Sequence, residues 1–223
     1  PKDDIKEHNP KLLLDDYVKF IRWGQWRIDH NSEITSKIKG GILAFITNHG
    51  YLDNPTFRGT RKALIDNFTE IYILNLHGNI KKKECSPDGS KDENVFDIQQ
   101  GISIGMFINN PEDSGPAKVQ YAELWGTREK KYGYLRDNSV GSTAWTKINP
   151  QSIFYLFSPQ DTALQPEYEH GLKITEIMQV NSTGVKTHRD HFVLDFDQPA
   201  LISRIENFRN LNISDDQIRE RYN

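Results

Sequence analysis

One cysteine, two methionines and no long apolar run set the first limits on this chain. Cys85 has no second cysteine to pair with, which excludes an internal disulfide and fits a reducing, cytoplasmic compartment. No stretch approaches the roughly 20 apolar residues of a membrane-spanning helix, and no signal-peptide pattern is present, so no membrane partner is expected. An excess of charge is also lacking. The 28 Lys and Arg against 31 Asp and Glu leave a net charge of −3. That balance lends no support to a dedicated nucleic-acid module, although a local basic patch remains compatible with it. A Gly-Lys-Ser/Thr phosphate loop is absent, so no ATPase lies within the 223 residues. The sequence opens on Pro1 and Lys2 rather than Met, which reads as a fragment boundary.

What is present is globular. Apolar residues make up 36% and charged residues 26%, and 4 Trp, 9 Tyr and 11 Phe supply core material. Leu14, Tyr17, Val18, Ile21 and Ile28 fall near helical spacing, so residues 11–29 are expected to form a helix. The run 42–46 (Ile-Leu-Ala-Phe-Ile) suits a strand buried on both faces. A helix over 56–67 and a strand over 71–76 follow, completing a strand–helix–strand unit and pointing to α/β architecture. The polar stretch 77–94 is expected to be a long exposed loop, of the kind that often carries function. Strands are expected at 102–108 and 118–124, and a charged helix at 127–137. Beyond about residue 138 the pattern weakens. Strands are expected at 153–157 and 192–196, helices at 199–209 and 215–222, with Ser214 as an N-cap of the last. The segment 172–180 is apolar but ambiguous.

Three segments carry a family resemblance. The first is Tyr17-Val18-Lys19-Phe20-Ile21-Arg22-Trp23. The second runs from Gly41 through Thr47-Asn48-His49-Gly50-Tyr51-Leu52 to Leu64. The third is Asp92-Glu93-Asn94-Val95-Phe96-Asp97-Ile98-Gln99-Gln100-Gly101-Ile102-Ser103-Ile104-Gly105. Together they resemble the post-catalytic half of the N6-adenine DNA methyltransferases, and their wording resembles the type ISP restriction-modification enzymes. Those are single polypeptides joining a nuclease, an ATP-driven translocase, a methyltransferase and a target-recognition domain.

The resemblance implies a fold and a function. Residues 1–115 would be the C-terminal half of a class I, Rossmann-like S-adenosylmethionine-dependent methyltransferase sheet. Residues 116–223 would be a mixed α+β linker and the beginning of the target-recognition domain. The partners implied are double-stranded DNA and the missing N-terminal part of the same enzyme, and the cofactor is S-adenosyl-L-methionine. The reaction implied is methyl transfer to a flipped adenine, for which this chain is not competent alone. The family's Gly-rich loop and Asn/Asp-Pro-Pro-Tyr/Phe loop are both absent; Asn9-Pro10 is followed by Lys11 and Leu12. Both elements precede the Tyr-x-x-Phe helix in the family, so the chain is expected to begin just after the catalytic loop, with strand 42–46 as an unpaired apolar edge.

Site residues carry over by position, each beside a plainer structural role. Phe20 and Tyr17 would wall the cofactor pocket, or serve as helix core. Thr47, Asn48 and Tyr51 would border the substrate cleft, where open α/β sheets bind ligands, or form a capped turn. Phe96 would stack on the flipped adenine, or anchor a loop. A flipped base loses its neighbours, and an aromatic face offsets that loss. Lys81, Lys82 and Lys83 would meet phosphates, or be a solvated charge run. Lys186 and Arg189 are surface residues or DNA contacts. No metal site is expected: His188 and His191 are three apart, but no Cys or further His cluster completes a ligand set. His188-Arg189-Asp190 lacks the following Asn of a kinase catalytic loop. The alternative function is a DNA-recognition or docking module without chemistry.

Overall fold

The computed structural model describes residues 10–30, 40–161, 163–180 and 187–222. The chain divides into two compact units, Pro1–Thr162 and Ala163–Asn223. The first unit contains α1 (Asp16–Asp29), β1 (Gly41–Asn48), α2 (Arg58–Asn67), β2 (Glu70–His77), β3 (Ile102–Asn109), β4 (Lys118–Glu123), α3 (Arg128–Asp137) and β5 (Thr146–Ile148). Its sheet has the order β1-β3-β2-β4-β5. The β3 strand runs antiparallel to both β1 and β2, and β4 lies parallel to β2. This is a mixed α/β fold. The sheet continues past residue 115, because β4 pairs with β2, and the first compact unit ends at Thr162.

Alternation along β2 explains its unbroken apolar run. Ile71 and Ile73 enter a core with Val18 and Ile21 of α1 and Leu64 of α2. Leu74 and Leu76 enter a second core on the opposite face, with Tyr134 and Leu135 of α3. The β2 strand is thus covered on both faces, as continuous hydrophobicity requires. The β1 strand differs from expectation. Leu43 packs under α1, but Ile42 and Ile46 are 69% and 55% exposed. Its apolar run is buried on one face only, because α3 lies over β2 and β4 and does not reach the sheet's edge. The close α1–β1 approach depends on Gly24, where a Cβ would stand 2.4 Å from the Leu43 side chain.

Residues 153–157 follow a turn and irregular backbone rather than the expected strand. Phe157 is buried edge-on against Tyr51, and its N–H donates to Leu52 O (2.9 Å). The Phe154 carbonyl is taken by the buried Arg61 guanidinium, through Nε (2.9 Å) and Nη2 (2.6 Å). Nη1 of Arg61 donates to Tyr51 O (2.8 Å) and Asn54 O (2.9 Å). Side-chain donors have replaced a strand ladder here. Burial pulls the guanidinium pKa down to about 10, so it is still charged at neutral pH.

In the second unit, α4 (Gln165–Glu169) and α5 (Ile174–Ile177) precede α6 (Asp190–Val193), α7 (Gln198–Arg209) and α8 (Asp215–Tyr222). The expected strand at 192–196 begins instead inside α6. Phe192 packs on Phe208 and Tyr222, while Arg204 donates to the carbonyls of His191 and Phe192 and pairs with Asp195 (2.6 Å). The α8 cap is reciprocal: Gln217 N–H donates to Ser214 Oγ, and Ser214 N–H donates to Gln217 Oε1 (3.0 Å). Lys186 and the segment 181–184 lie outside the described residues.

Arg61→Ala leaves three loop carbonyls without their donor and is expected to cost about 3 kcal/mol or more of stability. The urea midpoint should fall with an unchanged slope, and Arg61→Lys should restore only part of the loss. An unchanged midpoint in Arg61→Ala would refute the clamp.

Candidate functional site at the strand ends

The C-terminal ends of β1, β2 and β4 point to one end of the sheet, and the loops that leave them converge there. The loop after β2 is held from beneath by an ion pair. Lys131 of α3 is fully buried, and its Nζ lies 2.6 Å from Asp92 Oδ1. The same ammonium donates to Leu76 O (2.7 Å) and Glu93 O (2.6 Å), so all three of its protons are used. Asp92 in turn accepts from the backbone N–H groups of Gly78 (2.6 Å) and Gly126 (2.9 Å). Gly78 is needed for two reasons: its φ is +80°, and a Cβ would stand 2.4 Å from Asn94 Cα.

Phe96 rests on this base. Asn94 Nδ2 donates to Gly78 O (3.0 Å) and Gln100 O (2.6 Å), and Asn94 Oδ1 accepts from the Phe96 N–H (2.9 Å). Arg128 donates to Asn94 O (2.8 Å) and to Asp97 (2.7 Å), and Tyr132 Oη donates to Val95 O (2.5 Å). Val95 is buried, whereas the next residue, Phe96, is 45% exposed. The loop backbone is therefore tied on both sides of an outward aromatic ring.

The other residues singled out in the sequence divide. Thr47 is buried, and its Oγ1 has no hydrogen-bond partner among the described residues. Asn48 accepts from the Gly50 N–H (2.8 Å), the capped-turn role. Tyr51 does not border an open cleft. It is 1% exposed, with its ring between Tyr17 and Phe157 in the core, and burial pushes its phenol pKa up. Tyr17 is spent in the same way, against Tyr51 and Phe57. Phe20 is 59% exposed on α1. A cleft of about 710 Å³ beside that helix is lined by Arg22, Trp23 and Trp26 of α1 and Thr60 and Ala63 of α2. Lys81, Lys82 and Lys83 are exposed on the β2–β3 loop, with Lys82 paired to Asp53 at 3.2 Å.

Sequence reasoning missed one constellation. His49, His77 and Glu84 each bring a ligand-type atom within 4.8 Å of the others. A β-bulge between Asn75 and His77 in the β2–β3 pairing, with His77 at φ 51°, turns that ring into the group. Trp125 stacks on it at 3.3 Å between centroids. His77 Nε2 lies 3.3 Å from Glu123 Oε2, and Nδ1 lies 3.6 Å from Glu84 Oε1. Burial pushes the Glu84 pKa up, but the neighbouring His77 ring and the hydrogen bond from the Asn79 N–H outweigh it, and the net shift is downward. Burial holds the His49 pKa below its ordinary value. The three residues sit 28 and 7 positions apart, in the turn after β1, at the end of β2 and in the loop that follows it, so no spacing motif announces them. Lys131 was equally hidden, because it lies in a helix that reads as charged and solvated.

Breaking the Lys131–Asp92 pair strands a buried charge. Lys131→Met and Asp92→Asn should each lower stability by about 3–5 kcal/mol, and the double variant should lose clearly less than the sum. Urea denaturation checks the energies, and amide exchange over 93–97 checks the loop. Strict additivity of the two losses would show that the pair does not act as a unit.

The comparisons with known proteins agree with this architecture. No curated protein matches the sequence. Among solved structures, the nuclease-deletion mutant of the Type ISP restriction-modification enzyme LlaGI, in complex with a DNA substrate mimic, superposes with a TM-score of 0.65 and 24% identity, over 98% of this chain and 21% of that one. The ATP-dependent Type ISP restriction-modification enzyme LlaBIII bound to DNA gives 0.63 and 23%, over 90% and 13%. The DrdV–DNA complex gives 0.62 and 23%, over 88% and 20%. The chain thus spans about a fifth or less of each of these three structures, and at these identities the likeness is one of fold. The Type ISP C-terminal specificity domain family matches residues 176–223. Residues 176–223 therefore carry a Type ISP C-terminal specificity domain match, in a chain whose fold is shared with segments of Type ISP restriction-modification enzymes.

Proposed function

We propose that this chain is part of a Type ISP restriction-modification enzyme, and that its first unit serves adenine-N6 methylation of DNA while residues 176–223 serve target recognition. The observation that carries the methylation reading is Phe96. An exposed ring on a backbone fixed by Asn94, Arg128 and Tyr132 is what a stacking platform needs. A base drawn out of a duplex meets an aromatic face that has little freedom left to lose. The exposed apolar face of β1, whose outer edge has no strand partner among the described residues, supports a further contribution to the sheet from the same enzyme, since such an edge is a template for strand pairing.

S-adenosyl-L-methionine supplies the methyl group in this reaction. The residues present fit one wall of its pocket. Phe20 offers an accessible aromatic face, whereas Tyr17 is committed to the core. Lys81 and Lys83 extend from the same end of the sheet as Phe96 and suit phosphate contacts. Asn48 holds the turn that bounds this end. The match of residues 176–223 to a specificity domain favours a second reading, in which the chain acts in DNA recognition alone.

The two readings separate in the enzyme extended upstream through a Gly-rich loop and an Asn-Pro-Pro-Tyr/Phe loop. Phe96→Ala should lower adenine methylation by about five- to 150-fold, the equivalent of roughly 1–3 kcal/mol of stacking. It should also reduce the fluorescence change of a 2-aminopurine target, and Phe96→Trp should retain most activity. Wild-type DNA binding with no methylation by the extended enzyme would favour recognition alone. Unchanged kinetics and fluorescence in Phe96→Ala would remove the stacking role.

A further inference from the structure

We propose that His49, His77 and Glu84 form a binding site for one divalent transition-metal ion, with Zn²⁺ as the representative occupant. This goes beyond the methylation reading and does not depend on it.

The hydrogen-bond pattern selects the ligand atoms. The backbone N–H of His77 donates to Asn75 Oδ1 (3.1 Å), which fixes that atom as an oxygen. His49 Nδ1 lies 3.1 Å from the same oxygen and therefore carries the proton. The lone pair of His49 is then on Nε2. That lone pair accepts from Asn79 Nδ2 at 3.0 Å, and Asn79 Oδ1 is fixed by the Lys82 N–H (3.0 Å). Carboxylates face both nitrogens of His77, but Glu123 lies within hydrogen-bond distance of Nε2 (3.3 Å) and Glu84 lies beyond it from Nδ1 (3.6 Å), so the first proton goes to Nε2 and the Nδ1 lone pair is left toward Glu84. His77 Nδ1 is buried and has no hydrogen-bond partner. Glu84 Oε2 accepts from the Asn79 N–H (2.8 Å), leaving Oε1 toward His77.

A lone pair and a carboxylate oxygen thus face each other at 3.6 Å inside the protein. Two acceptors so placed repel unless a cation or a proton lies between them. The spacing is close to the roughly 3.4 Å edge of a tetrahedron with metal–ligand bonds of about 2.1 Å. The outer contacts complete the argument. Each imidazole gives its other N–H to a fixed acceptor, Asn75 for His49 and Glu123 for His77, and this is how ligating histidines are oriented in metal sites. Gly101 supports His49, since a Cβ there would stand 2.2 Å from the ring. Two imidazoles and one carboxylate suit Zn²⁺, Co²⁺ or Fe²⁺ and leave at least one position open. On binding, His49 Nε2 exchanges the Asn79 amide for the metal, and the loop after β2 becomes fastened to the end of β1.

The test uses the full chain, freed of metal by chelation and titrated with Zn²⁺ by calorimetry, then with Co²⁺ by visible absorption. The expected result is one equivalent bound, a low-symmetry Co²⁺ spectrum and a raised Tm. His77→Gln and Glu84→Gln should abolish the bound equivalent. Glu123→Gln, which keeps all three ligands, should weaken it by about 10- to 100-fold. His191→Gln should leave it unchanged. Circular dichroism establishes that each variant is folded. A folded wild-type chain that binds no Zn²⁺ overturns the proposal and leaves a proton between His77 and Glu84. Binding that survives in folded His77→Gln and Glu84→Gln, or that is lost in His191→Gln, also overturns it by placing the metal elsewhere.

Discussion

The site end of the sheet depends on one buried ammonium. Lys131 has no accessible surface, and a charge there is tolerable only because a carboxylate and two carbonyls take its three protons. Asp92 shares the load by binding the N–H groups of Gly78 and Gly126. The pair thus joins the end of β2, the loop that presents Phe96 and the approach to α3. Arg61 has the same role on the other flank, holding the turn after β1 against residue 154. Long connections are usually mobile because their backbone groups bond only to water. Here two buried cations hold the carbonyls, so long connections carry fixed geometry.

That arrangement explains what was legible in the sequence. Elements whose identity follows from local pattern were readable: β2, β3, β4 and both long C-terminal helices lie within a residue or two of expectation, and α1 ends where expected but begins at Asp16, behind a separate 3-10 helix over Pro10–Leu14. Faces were not readable where they depend on neighbours. Ile42-Leu43-Ala44-Phe45-Ile46 and Ile71-Tyr72-Ile73-Leu74 look equally buried as strings. Only the strand order, with β1 outermost, exposes Ile42 and Ile46 and covers Leu74. The misplaced strands at 153–157 and 192–196 share a cause. In both, an arginine of another element bonds a carbonyl of the segment, Arg61 that of Phe154 and Arg204 that of Phe192.

The same limit applied to the site. Phe96 was found through its resemblance, and its exposed ring on a tied loop suits the role proposed for it. Tyr17 and Tyr51 were drawn from equally specific segments, yet their rings fill the core, because the turn after β1 folds back beneath α1. Polar chemistry at the strand ends came instead from His49, His77 and Glu84, whose meeting depends on a bulge and a left-handed residue that no pattern encodes.

The second unit poses a different physical problem. It holds the family match but has little interior. Ile174, Val180, Phe196 and Leu211 are all exposed, and its described helices have no fully buried apolar residue. A unit of about 60 residues buries a smaller share of its surface than a larger domain does and is marginal without further support. Its described contacts include Arg204 bonded to Asp195 and to two carbonyls, and three aromatic rings packed edge to face. Exposed apolar side chains in such a unit are material for contact with other surfaces rather than for its own core. Recognition and chemistry would then rest on different energetics. The first unit fixes its loops through internal charges, while the second keeps apolar side chains exposed for contact.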